Sequence, residues 1–479
     1  MTPQVIASKL FIPTLKHGFV PRPRIGGPLH QGAESRLTLL SAPAGFGKTT
    51  LLTQWLHQTA GEDRRVAWLS LESSDSDPGV FFTCVVAALQ AVVPSLDPSS
   101  LDQLAASPLQ MERVLTTVLN ELAAVTHEVW LVLDDYHLAD GREVGEGMTF
   151  LLEHLPPHVH VAISTRADPE LPLSKWRVRG ELVEIRAAEL RFTTEETADY
   201  FKAVPGLDLT AEEITVLSQR TEGWIAALQL AGLSLQGRTD VASFISRFDG
   251  DDRYVLDYLL EEVLAHQPEQ VRSFLLQSSV LDRLTGSLCD AVTYRADGSG
   301  TLLALERANL FLIPLDDRRE WYRYHRLFAD VLRARLRSEQ PEQVPLLHQR
   351  ASCWHEQHGM THGAIEHALA ALDLDRAAHL MELAASRIRR NRQDALFLGW
   401  LRVLPEAVIR HSPVLSVFQA FSLMASGKLE SVEPRLRDAE HAMAGAQQGH
   451  LPLVRHRRVP DVAGDHRHLP CLRGAGARR

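Results

Sequence analysis

The sequence predicts an α/β domain, a parallel sheet with helices on both faces, followed by all-α helical and winged-helix modules and a short TPR-like helical repeat region. Three observations predict it. Apolar runs of strand length alternate with amphipathic helical stretches up to about residue 165. A glycine-containing loop, Ser41-Ala42-Pro43-Ala44-Gly45-Phe46-Gly47-Lys48-Thr49-Thr50, stands between the first strand and the first long helix. Helix pairs recur beyond residue 340.

The loop follows the buried-strand run Leu37-Thr38-Leu39-Leu40 and precedes the helical run Leu51 to Leu56. Strand, glycine loop, lysine-threonine, helix is the arrangement of a P-loop NTPase domain. Gly45 and Gly47 free the backbone to turn successive N–H groups toward phosphate oxygens, and the helix N-terminus adds donors and partial positive charge. Lys48 is expected on the β- and γ-phosphates and Thr49 on Mg²⁺, with Ala42, Pro43, Ala44, Phe46 and Thr50 completing the loop. The phosphate-loop pattern has glycine where Ala42 stands; alanine serves there if no positive φ is required.

Upstream, residues 1–30 read as an N-terminal arm, because Pro13, Pro21 and Pro23 oppose a long helix. Phe19 to Arg24 is expected to run extended toward the first strand. It is either a solvated leader or a flap whose Val20 and Arg22 cover a nucleotide base. The P-loop domain is placed at 31–190. Val66 to Leu71 is its second strand, and helices follow over Val80 to Val92 and Met111 to Val125. Val129-Trp130-Leu131-Val132-Leu133-Asp134-Asp135 is the acidic strand that partners the loop. Asp134 is assigned to the Mg²⁺ shell and Asp135 to orienting or deprotonating an attacking water. His158 to Arg166 is a strand expected between the acidic strand and the loop strand. Its terminal Arg166 is suited to sensing a γ-phosphate, or is a surface arginine.

From about residue 170 the chain is expected to leave the sheet. A helical domain is placed at 191–280, with a threonine cap at Thr193 and a strongly apolar helix beginning at Thr221. Phe311 to Leu315 and Trp321 to His325 read as a hairpin in a winged-helix-like domain at 281–340. Incomplete TPR-like repeats occupy 341–448. The tail, 449–479, is rich in arginine, histidine and proline and reads as disordered or frame-shifted.

The formal net charge of −10 leaves no global positive field for nucleic acid or anionic membranes. Four scattered cysteines argue against a zinc site or disulfide framework and fit a cytoplasmic location.

With these residues in hand, the chain resembles the MalT-like, large ATP-binding regulators of the LuxR family, STAND-class NTPases. The marks are Phe19 to Arg24, Ala42 to Thr50, Leu133-Asp134-Asp135-Tyr136-His137, Ser164 to Pro169, Gly223 to Ala231, and Tyr324-His325-Arg326-Leu327-Phe328-Ala329-Asp330. The family usually has proline where Ile225 stands, and Ala42 is its ordinary residue. The resemblance implies an ATP/ADP-dependent signal-transduction switch with Mg²⁺ and slow ATPase activity. It also implies that His325 meets the phosphates from the winged-helix side, that an inducer docks on the repeats, and that the ATP form self-associates. The family binds promoter DNA through a C-terminal helix-turn-helix. No such domain is legible here, so the chain is expected to be truncated and not to bind DNA specifically. The alternatives are a stand-alone P-loop ATPase and a repeat interaction protein stabilised by nucleotide.

Overall fold

The four apolar runs expected to form strands do so, and they pair in parallel. In this computed structural model β1 is Leu37–Ser41, β2 Arg64–Ser70, β3 Glu128–Asp134 and β4 Val159–Thr165. The described residues are 5–14, 20–31, 35–58, 64–97, 111–204, 206–238, 240–250, 252–390, 394–425 and 429–447. The expected tail, 449–479, lies outside them. A fifth strand, β5 (Leu182–Arg186), completes the order β2-β3-β4-β1-β5. The acidic strand therefore sits one strand away from the loop strand, with β4 between, as expected. Register sets Ser41 against Thr165 and Leu133 against Ile163, so the loop and both polar strand ends emerge at one edge.

Alternation along the strands divides the two faces of the sheet. Leu37, Leu39, Val129, Leu131, Leu133, Val159, Val161 and Ile163 join one core with helices α3 (Pro78–Val92), α4 (Met111–Ala123) and α5 (Arg142–Glu153). The alternate residues face the loop helix α2 (Lys48–Gln58), where Trp55 meets Trp130 edge-on at 4.6 Å. Burial on both faces explains why these strands read as continuous apolar runs.

Three expectations are corrected. The chain does not leave the sheet at residue 170, since β5 pairs with β1 along Leu37↔Leu182 to Ser41↔Arg186. Its five residues carry Glu184 and Arg186, too short and polar a pattern for an apolar run to reveal. The arm does not run extended through Arg24: Pro23 opens helix α1 (Pro23–Gln31), proline being suited to a first helical position. The apolar helix does not begin at Thr221. Thr221 ends helix α7 (Ala211–Thr221), which follows α6 (Thr194–Lys202), and the next helix, α8, is Ile225–Leu235. Between them Glu222 and Gly223 take left-handed conformations, and a Cβ on Gly223 would stand 2.4 Å from the Phe192 carbonyl oxygen.

By contact the described chain divides into two compact units, residues up to 272 with 300–334, and residues 273–299 with the chain from 335. The first contains the sheet and the antiparallel hairpin of β6 (Leu312–Pro314) and β7 (Tyr322–Tyr324). In the second, successive helices pack in pairs, Gln343–Gln357 with Thr361–Ala370 and Pro413–Ala425 with Val432–Gln447. No described helix is long and apolar enough to cross a membrane.

The arm is anchored in the sheet domain. A short 3-10 turn, Ala7–Leu10, buries Lys9, whose Nζ donates to both carboxylate oxygens of Asp75 at 2.9 Å. Asp75 is itself 2% exposed. Lys9→Ala should leave this carboxylate buried without its cation and destabilise the first unit by about 3 kcal/mol. Thermal unfolding checks this; an unchanged midpoint contradicts it.

Candidate functional site

In the glycine loop the carbonyls of residues 42–45 are hydrogen-bonded. Lys48 Nζ donates to the Ala42 and Pro43 carbonyls at 2.8 and 3.0 Å. Trp224 Nε1 donates to the Ala44 carbonyl at 3.1 Å, and the Ala226 amide to the Gly45 carbonyl, also at 3.1 Å. The Ala226 amide is one of the first-turn donors that helix α8 cannot satisfy internally. Four successive carbonyls are thus occupied, while among the described residues the amides of Gly45, Phe46 and Gly47 meet no acceptor. Such a row of amides at a helix N-terminus is chemically suited to an anion. Gly45 (φ +74°) and Gly47 (φ +77°) make the turn possible.

Charges around the loop are held by short polar contacts. Burial pushes Lys48 down to about 8, opposed by Asp135, assisted by Arg166 and opposed again by Asp134. The Thr49 hydroxyl donates to Asp134 at 3.0 Å from either oxygen, and Ser164 Oγ donates to the same carboxylate. Burial raises the Asp134 pKa, and the Ser164 hydrogen bond counters part of that rise. Ser164 Oγ also accepts from the Asp135 amide at 3.2 Å, and Asp135 takes a left-handed conformation (φ 56°). The two acids consequently diverge: Asp134 lies beneath Thr49, and Asp135 reaches the cavity.

That cavity encloses about 710 Å³. Gly45, Gly47, Lys48, Thr49, Asp135 and Arg166 line one part of it, and Val20, Arg22, Phe192, Tyr200, Ile225 and Leu233 are also in its wall. Ala44 and Thr50 border it, whereas Ala42 and Phe46 are buried behind the loop. The arm supplies wall rather than a free cation. Arg22 donates to the Leu190 and Arg191 carbonyls at 2.9 and 2.8 Å, pairs with Glu196, and lies 4.5 Å over the Phe192 ring. A solvated leader is therefore excluded for Val20 and Arg22, which are 7% and 5% exposed.

His325 is not brought to the cavity. Its Nε2 is 3.1 Å from the Thr221 carbonyl, and its ring packs against Trp224 and Phe311. Burial pushes it down to about 4, so at neutral pH it is uncharged and Nε2 carries the proton given to Thr221. Its place is behind the tryptophan that caps the loop. Phe311 meets Phe46 as well, so one aromatic group joins the loop to the hairpin region.

The MalT winged helix domain matches residues 260–344. The HTH-type transcriptional regulator MalT of Vibrio campbellii is 32% identical over 440 residues, 91% of this chain and 48% of that protein. Over the shared span the chain resembles MalT. The serine/threonine-protein kinase PknK of Mycobacterium tuberculosis is 32% identical over 448 residues, 92% of this chain and 40% of the kinase. The chain thus spans less than half the length of either relative. A STAND protein with a tetratricopeptide repeat sensor from Pyrococcus horikoshii aligns with 89% of this chain and 59% of its own at 16% identity and TM-score 0.33, too loose a likeness to place any residue.

Within this site, the sequence pattern did not reveal Ser164 and Trp224 as contacts of the loop and its acids. Both stood inside stretches already singled out, Ser164-Thr165-Arg166 and Gly223-Trp224-Ile225. The signal for Trp224 was an aromatic donor just after a glycine at a helix start. Glu222 was also missed. Against the upward push of burial, hydrogen bonds from Arg323 at 2.8 Å hold it down at about 2 and fix the turn that presents Trp224.

Trp224→Phe deletes the donor to the Ala44 carbonyl and keeps most of the ring packing. It should destabilise the first unit by about 1–2 kcal/mol and speed amide exchange across residues 42–48. Exchange mass spectrometry reads this directly; unchanged exchange in that peptide contradicts the clamp.

Proposed function

We propose that this chain is an ATP/ADP-dependent signal-transduction switch of the MalT type, with slow ATPase activity. The observation that carries the reading is the loop itself, whose carbonyls at 42–45 are occupied while the amides of Gly45, Phe46 and Gly47 have no acceptor among the described residues. Phosphates are assigned to these amides and to Lys48, which would exchange two carbonyl contacts for phosphate oxygens. Thr49 and Asp134 would hold Mg²⁺, which when bound neutralises phosphate charge. Asp135, in the cavity wall, is assigned to orienting water, and Arg166 to the γ-phosphate. The base is assigned to the wall formed by Val20, Arg22, Phe192 and Tyr200, with Arg22 acting through the wall it stiffens.

His325 is assigned an indirect role. It supports Trp224, and through it the closed position of the loop. Regulation rather than turnover is supported by the likeness to MalT, which is named as a transcriptional regulator. Inducer binding is proposed for the TPR-like helix pairs of the second unit, with self-association in the ATP form and a cytoplasmic location. No DNA contact is assigned to the described residues.

Lys48→Ala should lower ATP and ADP affinity about 100-fold while leaving a folded chain, because it removes charged phosphate contacts and no apolar packing. Wild-type affinity in that variant, measured by calorimetry, contradicts the site. Asp134→Asn should weaken ATP binding in Mg²⁺ more than ADP binding. An equal loss with and without Mg²⁺ contradicts its metal role.

The pH dependence follows from Lys48. Its pKa in the ligand-free site is about 8, and phosphate favours its charged form, so binding raises that pKa. Affinity should hold below pH 8, fall above it, and be accompanied by proton uptake near pH 8. Calorimetry in buffers of different ionisation enthalpy measures the uptake, and its absence contradicts this account.

A further inference from the structure

Arg166 lines the cavity with Lys48, Thr49 and Asp135, yet its guanidinium is engaged elsewhere. One terminal nitrogen is 3.3 Å from Glu262 Oε2, and the other donates to the Glu262 backbone carbonyl at 3.5 Å. Glu262 stands in a π-helical turn, Leu260–Leu264, which continues helix α9 (Arg253–Leu259) and closes with the Ala265 amide on the Leu260 carbonyl at 2.9 Å. Such single π-turns recur at functional sites. The same helix carries Tyr258, whose ring packs on Trp224 at 5.7 Å and whose hydroxyl stands 3.0 Å from the position of a Cβ on Gly45. Residues 253–264 therefore touch the site twice, at the loop through Tyr258 and at Arg166 through Glu262.

We infer that Glu262 is a positioning residue that holds Arg166 away from the phosphates, and that a third phosphate is what takes the guanidinium from it. This rests on the nucleotide reading of the same cavity. Arg166 and Glu262 are 36% and 45% exposed, so water and salt screen the pair and it holds weakly. A phosphate group offers the guanidinium two oxygens and more charge than a carboxylate. A triphosphate has to break the pair to engage Arg166; a diphosphate leaves it intact. The pair then lowers affinity for ATP alone. Once broken, it frees the 253–264 segment from the end of β4, so the number of phosphates is relayed to the helix that packs on Trp224.

The test is nucleotide titration of the full chain with Mg-ATP and Mg-ADP, for the parent, Glu262→Gln, Arg166→Ala and the double variant. Glu262→Gln should bind ATP about two- to fivefold more tightly with ADP affinity unchanged, raising the ATP/ADP affinity ratio by that factor. In the Arg166→Ala background the same substitution should leave the ratio alone, which a purely structural role for Glu262 would not produce. The gain should shrink at high salt. A ratio that stays flat or falls in Glu262→Gln overturns the inference while leaving nucleotide binding in place. A parent chain that binds neither nucleotide removes the nucleotide reading and the inference with it.

Discussion

The start of helix α8 resting on the glycine loop, residues 42–50, is the contact on which the candidate site depends. Trp224 and Ala226 donate to consecutive loop carbonyls, and a Cβ on Gly45 would stand only 2.5 Å from that of Ala226. No side chain fits at Gly45, so the loop and the helical segment can approach this closely only with glycine there. The contact does two things at once. It engages the carbonyls of Ala44 and Gly45, on the opposite side of the peptide units from the amides proposed for an anion. It also makes the loop's conformation depend on residues far along the chain, because Trp224 is held by Tyr258, Phe311 and His325. A change at the loop is a change at that aromatic group.

The electrostatics follow the same economy of contacts. Lys48 and Asp134 are 7% and 4% exposed, and isolated charges at such depth are strongly disfavoured. Each is instead given polar partners within the loop and the strand ends: two carbonyls for Lys48, and the Thr49 and Ser164 hydroxyls for Asp134. These direct partners are neutral, while Asp135 and Asp134 act on Lys48 through space and favour its charged form. An incoming phosphate would meet donors already oriented, with little rearrangement of backbone.

Sequence pattern exposed the parts of this arrangement that obey local rules. The loop strand, the acidic strand and β4 were legible because burial on both faces makes them continuously apolar, and the helix start at Thr193 was legible from its threonine cap, to which the structure adds a reciprocal contact from Glu196. β5 was not, since an edge position lets Glu184 and Arg186 into the strand. Helix α1 was hidden because proline was read as a breaker, where at Pro23 it starts the helix. The clamp joins residues about 180 positions apart, from Ala44 to Trp224, and no local periodicity encodes such a pairing. Arg166 was found at the end of its strand, but its partner Glu262 lies 96 residues on in a π-turn, a geometry without a sequence signature. His325 was identified from its motif, and its contacts put it one aromatic layer behind the loop rather than in the cavity.

The most direct measurement of the central claim is a calorimetric comparison of AMP, ADP and ATP on the unmodified chain in Mg²⁺. If the free amides and Lys48 hold the phosphates beyond the first, ADP and ATP bind and AMP binds at least about 100-fold more weakly. AMP binding as tightly as ADP, or no binding by any of the three, contradicts the account.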